Sequence, residues 1–183
     1  PETVYDPATG RMMIYFTMRF GNEQNRLYYV YVNQDFNRIE SIPQILFEYP
    51  SGASAIDGDI TPIWNEERQK MEYHLFYVAH ESGSGIKQAV SDRIDGSYRF
   101  DPRWIDFEPV ACEAPNVWKR IGEDKWVLMY DIFGINPHNF GFVETSDFVH
   151  FKNLGRFNEG VMKTTNFRSP KHGAVIHLTQ EEA

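Results

Sequence analysis

Ala111-Cys112-Glu113-Ala114-Pro115-Asn116-Val117-Trp118-Lys119 joins a carboxylate to a sharp Ala-Pro step and then to an apolar pair. A turn follows, Arg120-Ile121-Gly122-Glu123-Asp124, and then a strand-like run, Lys125-Trp126-Val127-Leu128-Met129-Tyr130-Asp131. A charged residue just ahead of a buried strand is costly unless it is paired or used. The same plan recurs on both sides of this stretch, and the recurrence decides the fold.

Upstream, Ala55-Ile56-Asp57-Gly58-Asp59-Ile60 opens a unit. The turn Asn65-Glu66-Glu67-Arg68, a run over 74–78, the loop Ser82-Gly83-Ser84-Gly85 and a run over 86–90 complete it, closing at Ser91-Asp92. Earlier still, Pro1 to Asp6 leads through Pro7-Ala8-Thr9-Gly10 into aromatic and β-branched runs over 12–18, 27–32 and 45–47, with Asn33-Gln34-Asp35-Phe36 after the second. Downstream of Glu113, a third run over 140–144 closes at Thr145-Ser146-Asp147-Phe148. A last opening appears at Pro170-Lys171-His172-Gly173-Ala174-Val175-Ile176.

The closures at Asp35, Asp92 and Asp147 recur roughly 55 to 57 residues apart, and the openings at Asp57, Glu113 and His172 roughly 56 to 59. No segment carries the period of a helix. Units of about four short strands at this spacing predict an all-β chain and a β-propeller. The blades fall roughly over 1–50, 51–110 and 111–165, with the start of the next over 166–183. A meandering β-sandwich would explain the strands but not their alignment, unit for unit. About three blades and the start of a fourth do not close a ring, so the natural protein is expected to be longer at one or both ends.

Composition narrows the partners. The 183 residues suit one domain with a real core, and Phe, Tyr and Trp reach 15%. Aromatics favour strands and offer flat faces to sugar rings. A net charge of -8, spread along the chain, argues against nucleic acid and anionic membrane surfaces. No apolar run approaches the roughly 18 residues of a membrane span. The single cysteine, Cys112, excludes an internal disulfide framework and reads as a small buried apolar residue. The chain opens at Pro1 without a methionine, so a missing targeting segment carries no meaning. Oligomeric state is not legible.

In a propeller the first strand of each blade lines the central channel. Residues at the starts of those strands converge at one mouth. Those positions hold Asp57 or Asp59, then Glu113, then His172. Each has an ordinary reading when taken alone. An Asp beside Gly58 suits a turn, a Glu suits a surface or a cap, and a His suits a structural hydrogen bond. Their shared place in the repeat favours a functional site.

These segments resemble glycoside hydrolase family 43, five-bladed propellers that cleave arabinosides, xylosides and some galactosides. Cys112 to Lys119 resembles the family's general-acid segment, which gives Glu113 that role. Ala55 to Ile60 resembles the segment of a second Asp that tunes and orients the acid. The wording of the motif favours Asp57, while counting onward to Asn65 favours Asp59; the two stand two apart on a strand, where both would face the channel. Lys171-His172-Gly173 resembles the channel His-Gly motif, whose His supports a water-coordinated ion, usually Ca2+. Pro1 to Asp6 resembles the opening of the second blade, which puts the catalytic base, an Asp of the first blade, upstream of this chain and leaves the chain alone inactive. Ala89 to Asp92 and Glu144 to Asp147 resemble the family's third-strand ends.

The resemblance implies an inverting acid/base glycosidase acting on plant-type polysaccharides or oligosaccharides outside the cell or in the periplasm. Trp64, Trp118 and Phe133 are the candidates for holding a sugar face, and the loop from Phe133 to Asn139 reads as a rim. The acid's pKa is expected to be raised by the neighbouring carboxylate. Three rivals stand beside this reading. A non-catalytic carbohydrate-binding propeller would keep the aromatics and lose an acid. A kelch or WD interaction propeller would show Gly-Gly or Trp-Asp punctuation, which is missing. A metal hydrolase would need ligand spacing that His74, His80, His138, His150 and His177 do not have.

Overall fold

The computed structural model describes residues 1–161 and 168–182. These residues form twelve strands and no helix. The first four are β1 (Glu2–Asp6), β2 (Arg11–Met18), β3 (Arg26–Val32) and β4 (Gln44–Phe47). The next four are β5 (Ser54–Asn65), β6 (Lys70–His80), β7 (Gly85–Ser91) and β8 (Arg99–Asp101). The last four are β9 (Glu113–Lys119), β10 (Trp126–Ile132), β11 (Asn139–Thr145) and β12 (Lys152–Arg156). Each set of four is one antiparallel sheet in chain order.

The sheets stack on one another as propeller blades do. In β6, Leu75, Tyr77 and Ala79 join a core that also holds Met13, Tyr15 and Leu27 of the first sheet. Their alternates Phe76 and Val78 join a second core with Leu128, Tyr130 and Ile132 of the third sheet. A strand sends successive side chains to opposite faces, so one strand serves both interfaces. That is why the middle strands read as unbroken apolar runs rather than as alternation. Cys112 is fully buried in the second core, and burial holds its thiol far above the ordinary value.

The outer strands β8 and β12 were not visible as apolar runs. Both are short, largely polar and sit at a sheet edge, where charge guards against pairing with other chains. The boundary expected near 165 and 166 lies outside the described residues. Beyond it, 173–180 carry no strand.

The inner strands share a device that places the site. β5 carries an extra residue between Ile56 and Asp59, and β9 carries one between Glu113 and Asn116. Each bulge puts a residue in the left-handed region, Asp57 at φ 51° and Ala114 at φ 50°, and His172 repeats it at φ 48°. Such a conformation costs a non-glycine residue about 1–3 kcal/mol and persists only where neighbours over-determine it. Here the preceding sheet supplies the hold. The Asp57 N–H donates to the Thr17 hydroxyl at 3.2 Å, and the Ala114 N–H donates to the Asp57 carboxylate.

Three residues on, each opening is tied again to the unit before it. The Ile60 N–H donates to the Tyr15 hydroxyl at 3.0 Å, the Val117 N–H to Asp59 Oδ2 at 2.9 Å, and the Val175 N–H to Asn116 Oδ1 at 2.8 Å.

Candidate active site

The two bulges and the turn at His172 bring three side chains into one hollow. Asp57 comes from β5, Glu113 from the first residue of β9 and His172 from the turn after Pro170. One ligand atom from each lies within 4.8 Å of the others. His172 Nε2 is 2.9 Å from Glu113 Oε1, and Lys171 Nζ is 3.0 Å from the same oxygen. Glu113 faces inward, with its side chain only 16% exposed. A cavity of about 260 Å³ runs beside them, lined by Thr17, Asp57, Asn116 and His172 among others.

The electrostatics differ from the expectation. Burial pushes the Glu113 carboxyl up, but the hydrogen bonds from His172 and Lys171 outweigh it and hold the group below its ordinary value. Two nitrogen donors on one oxygen win over burial, so the rise expected from a neighbouring carboxylate does not occur. Asp57 goes the other way, raised first by burial and also by the Glu113 charge, against lowering contributions from His172 and the Ala114 N–H. Lys171 precedes His172 in the channel motif, and the resemblance implies no role for it. Its ammonium also stands 5.7 Å from the centre of the Phe133 ring, which brings Phe133 to this site.

Asp59 does not join them. The bulge between Ile56 and Asp59 breaks the two-residue phase, so Asp57 and Asp59 do not share a face as a regular strand would make them. Asp59 is buried and turns to the next sheet, accepting from Asn116 Nδ2 and the Val117 N–H, both at 2.9 Å. Burial pushes its carboxyl up to about 7 in spite of those donors.

Behind Glu113 stands a residue that the sequence did not single out. Asp131 pairs with Glu113 across β10 and β9 and is 1% exposed. Its Oδ2 accepts the His172 N–H at 3.2 Å and lies 3.9 Å from His172 Nε2. Its Oδ1 has no partner among the described residues. Burial raises its pKa, and the charge of Glu113 adds to that. A carboxylate ending the apolar run from Val127 to Tyr130 was the available signal.

Calcium prefers roughly six to eight oxygen ligands. Asp57, Glu113 and His172 offer two carboxylates and a nitrogen, with Lys171 and His172 already on Glu113. As arranged, the set does not suit direct calcium binding.

A family model of relatives of glycoside hydrolase family 43, described as "Probable glycosyl hydrolase domain", matches residues 1–183. The chain belongs to that family. A search of curated proteins finds no match. Among solved structures, a thermostable family-43 glycoside hydrolase aligns at TM-score 0.62 and 14% identity over 84% of this chain and 56% of that one. An endo-arabinase from Bacteroides thetaiotaomicron aligns at 0.61 and 13%, over 77% of this chain and 53% of its own. An endo-1,4-beta-xylanase from the same organism aligns at 0.60 and 12%, over 95% and 59%. The chain therefore spans little more than half the length of these structures, which show the fold.

For a member of this family, the aromatic candidates divide. Phe133 stands at the acid site. Trp64 and Trp118 line a separate cleft of about 1100 Å³ toward the far ends of β5 and β9, together with Trp126 and His74. Trp118 faces Val127 and Glu113 faces Asp131, four residues apart on β10, on the order of 13 Å at a strand's usual rise. Trp118 meets Phe142 edge-on, ring centres 6.5 Å apart, whereas Trp64 is 48% exposed. The fold does not bring these two tryptophans to Glu113. No helix among the described residues is long and apolar enough to cross a membrane.

Proposed function

We propose that the natural protein hydrolyses O-glycosidic bonds of arabinoside-, xyloside- or galactoside-containing carbohydrates, with inversion and with Glu113 as general acid. One observation carries this reading: β5, β9 and the turn at His172 bring one ligand atom each of Asp57, Glu113 and His172 within 4.8 Å of one another. Family membership and the arabinase and xylanase names among the similar structures support it.

In the proposed step a protonated Glu113 gives its proton to the glycosidic oxygen as the bond to the anomeric carbon breaks. The carboxylate left behind meets the Lys171 ammonium and His172, which stabilise the charge as it develops. Asp57 is the neighbouring carboxylate that favours the protonated acid, against the pull of Lys171 and His172. Water attacks the opposite face and loses its proton to an Asp on a blade ahead of Pro1. No step runs through a channel ion. The reaction is assigned to the cell exterior or the periplasm, where such polymers occur.

The low-lying Glu113 carboxyl favours a second reading, a carbohydrate-binding propeller in which Lys171 neutralises a resting charge. A screen separates them. The protein with its upstream blade should release aryl alcohol from an aryl arabinofuranoside, xyloside or galactoside, while residues 1–183 alone should release none. Binding of oligosaccharide without turnover by the longer protein would decide for the second reading. Turnover by 1–183 would remove the upstream base.

A further inference from the structure

The proposed reaction leaves Asp131 idle, yet its position is costly. A fully buried carboxylate with one oxygen unpartnered among the described residues, set directly across from Glu113, carries a desolvation penalty and a like-charge repulsion. The fold does not require a carboxylate at this place. In the preceding sheet the pair ahead of the bulge is Ile56 and Val78, both apolar. Asp131 also breaks a buried run in which Met129, Tyr130 and Ile132 all pack into cores.

Its contacts say what it does. Oδ2 takes the His172 N–H at 3.2 Å, at the residue that stands in the left-handed region. The other two left-handed openings are held in the same way, Asp57 by the Thr17 hydroxyl and Ala114 by the Asp57 carboxylate. The turn at His172 in turn sets its ring 2.9 Å from Glu113. We propose that Asp131 is a positioning residue, anchoring the His172 turn so that the imidazole meets Glu113. Its kinetic consequence rests on Glu113 being the acid; its structural consequence does not.

Two substitutions in the protein with its upstream blade test this. Asp131→Asn keeps an oxygen for the His172 N–H. Asp131→Val removes the acceptor and copies the side chain of the preceding sheet, so the core is preserved; Asp131→Ala replaces it should the valine variant not fold. Crystal structures should keep His172 against Glu113 in Asp131→Asn and lose that contact in Asp131→Val. Loss of kcat should be within about threefold for Asp131→Asn and about 30- to 100-fold for Asp131→Val, with KM little changed, as expected for a misplaced group. An intact His172–Glu113 contact in Asp131→Val, or its loss in both variants, would overturn the proposal. If the contact behaves as stated but the parent hydrolyses no glycoside, the positioning role stands and the hydrolase reading alone fails.

Discussion

Asp59 shows how surroundings decide a residue's part. Its folded value of about 7 lies above its ordinary 3.8, because burial disfavours the charge. The folded state therefore prefers the protonated form. The stability this contributes is fully present below about pH 4 and is lost as pH rises toward about 7. Asp59→Asn keeps an acceptor for the Val117 N–H and cannot ionise. Thermal melts should show the parent losing more stability than Asp59→Asn between pH 4 and 7. Parallel curves would contradict a raised value for this carboxyl. From the sequence, Asp57 ranked ahead of Asp59 only on the wording of the motif; the extra residue between Ile56 and Asp59 separates them, and a bulge is set by tertiary contacts more than by local preference. Asp131 was equally hidden. A carboxylate at the end of an apolar run reads as a strand end, and only the pairing of β10 with β9 puts it behind Glu113.

At the scale of elements, the strands were legible where apolar and aromatic residues were dense. The runs over 12–18, 27–32 and 86–90 each fall within strands β2, β3 and β7. The edge strands β8 and β12 were not, since nothing buried marks them. The ties from each opening to the unit before it were also beyond reach, because each joins residues from different units. They make a prediction. Tyr15→Phe removes the hydroxyl that accepts the Ile60 N–H in a buried setting. An orphaned buried donor costs about 1–3 kcal/mol, so urea unfolding should show a loss of that size. A change below about 0.5 kcal/mol would mean that water reaches Ile60 or that the tie is weak.

For the whole molecule, the period of the sequence carried the fold, because each unit repeats the same need to cover two faces of a sheet. Three successive sheets with two shared cores are its outcome. The period also pointed to where chemistry gathers, since inner strands open at a common place. It did not reveal the charge balance there. That depends on Lys171, one residue before His172, reaching the same oxygen of Glu113. The far cleft with Trp64 and Trp118 was not foreseen either, since position along β5 and β9 matters as much as residue type.

The claim on which the account turns is that Glu113 delivers a proton to the departing sugar oxygen. The decisive measurement compares Glu113→Gln with the parent protein, upstream blade included, on aryl glycosides with poor and with good leaving groups. Loss of the acid should cost about 100-fold or more where the leaving group needs a proton, and far less where it does not. Equal, small losses on both substrates would contradict it.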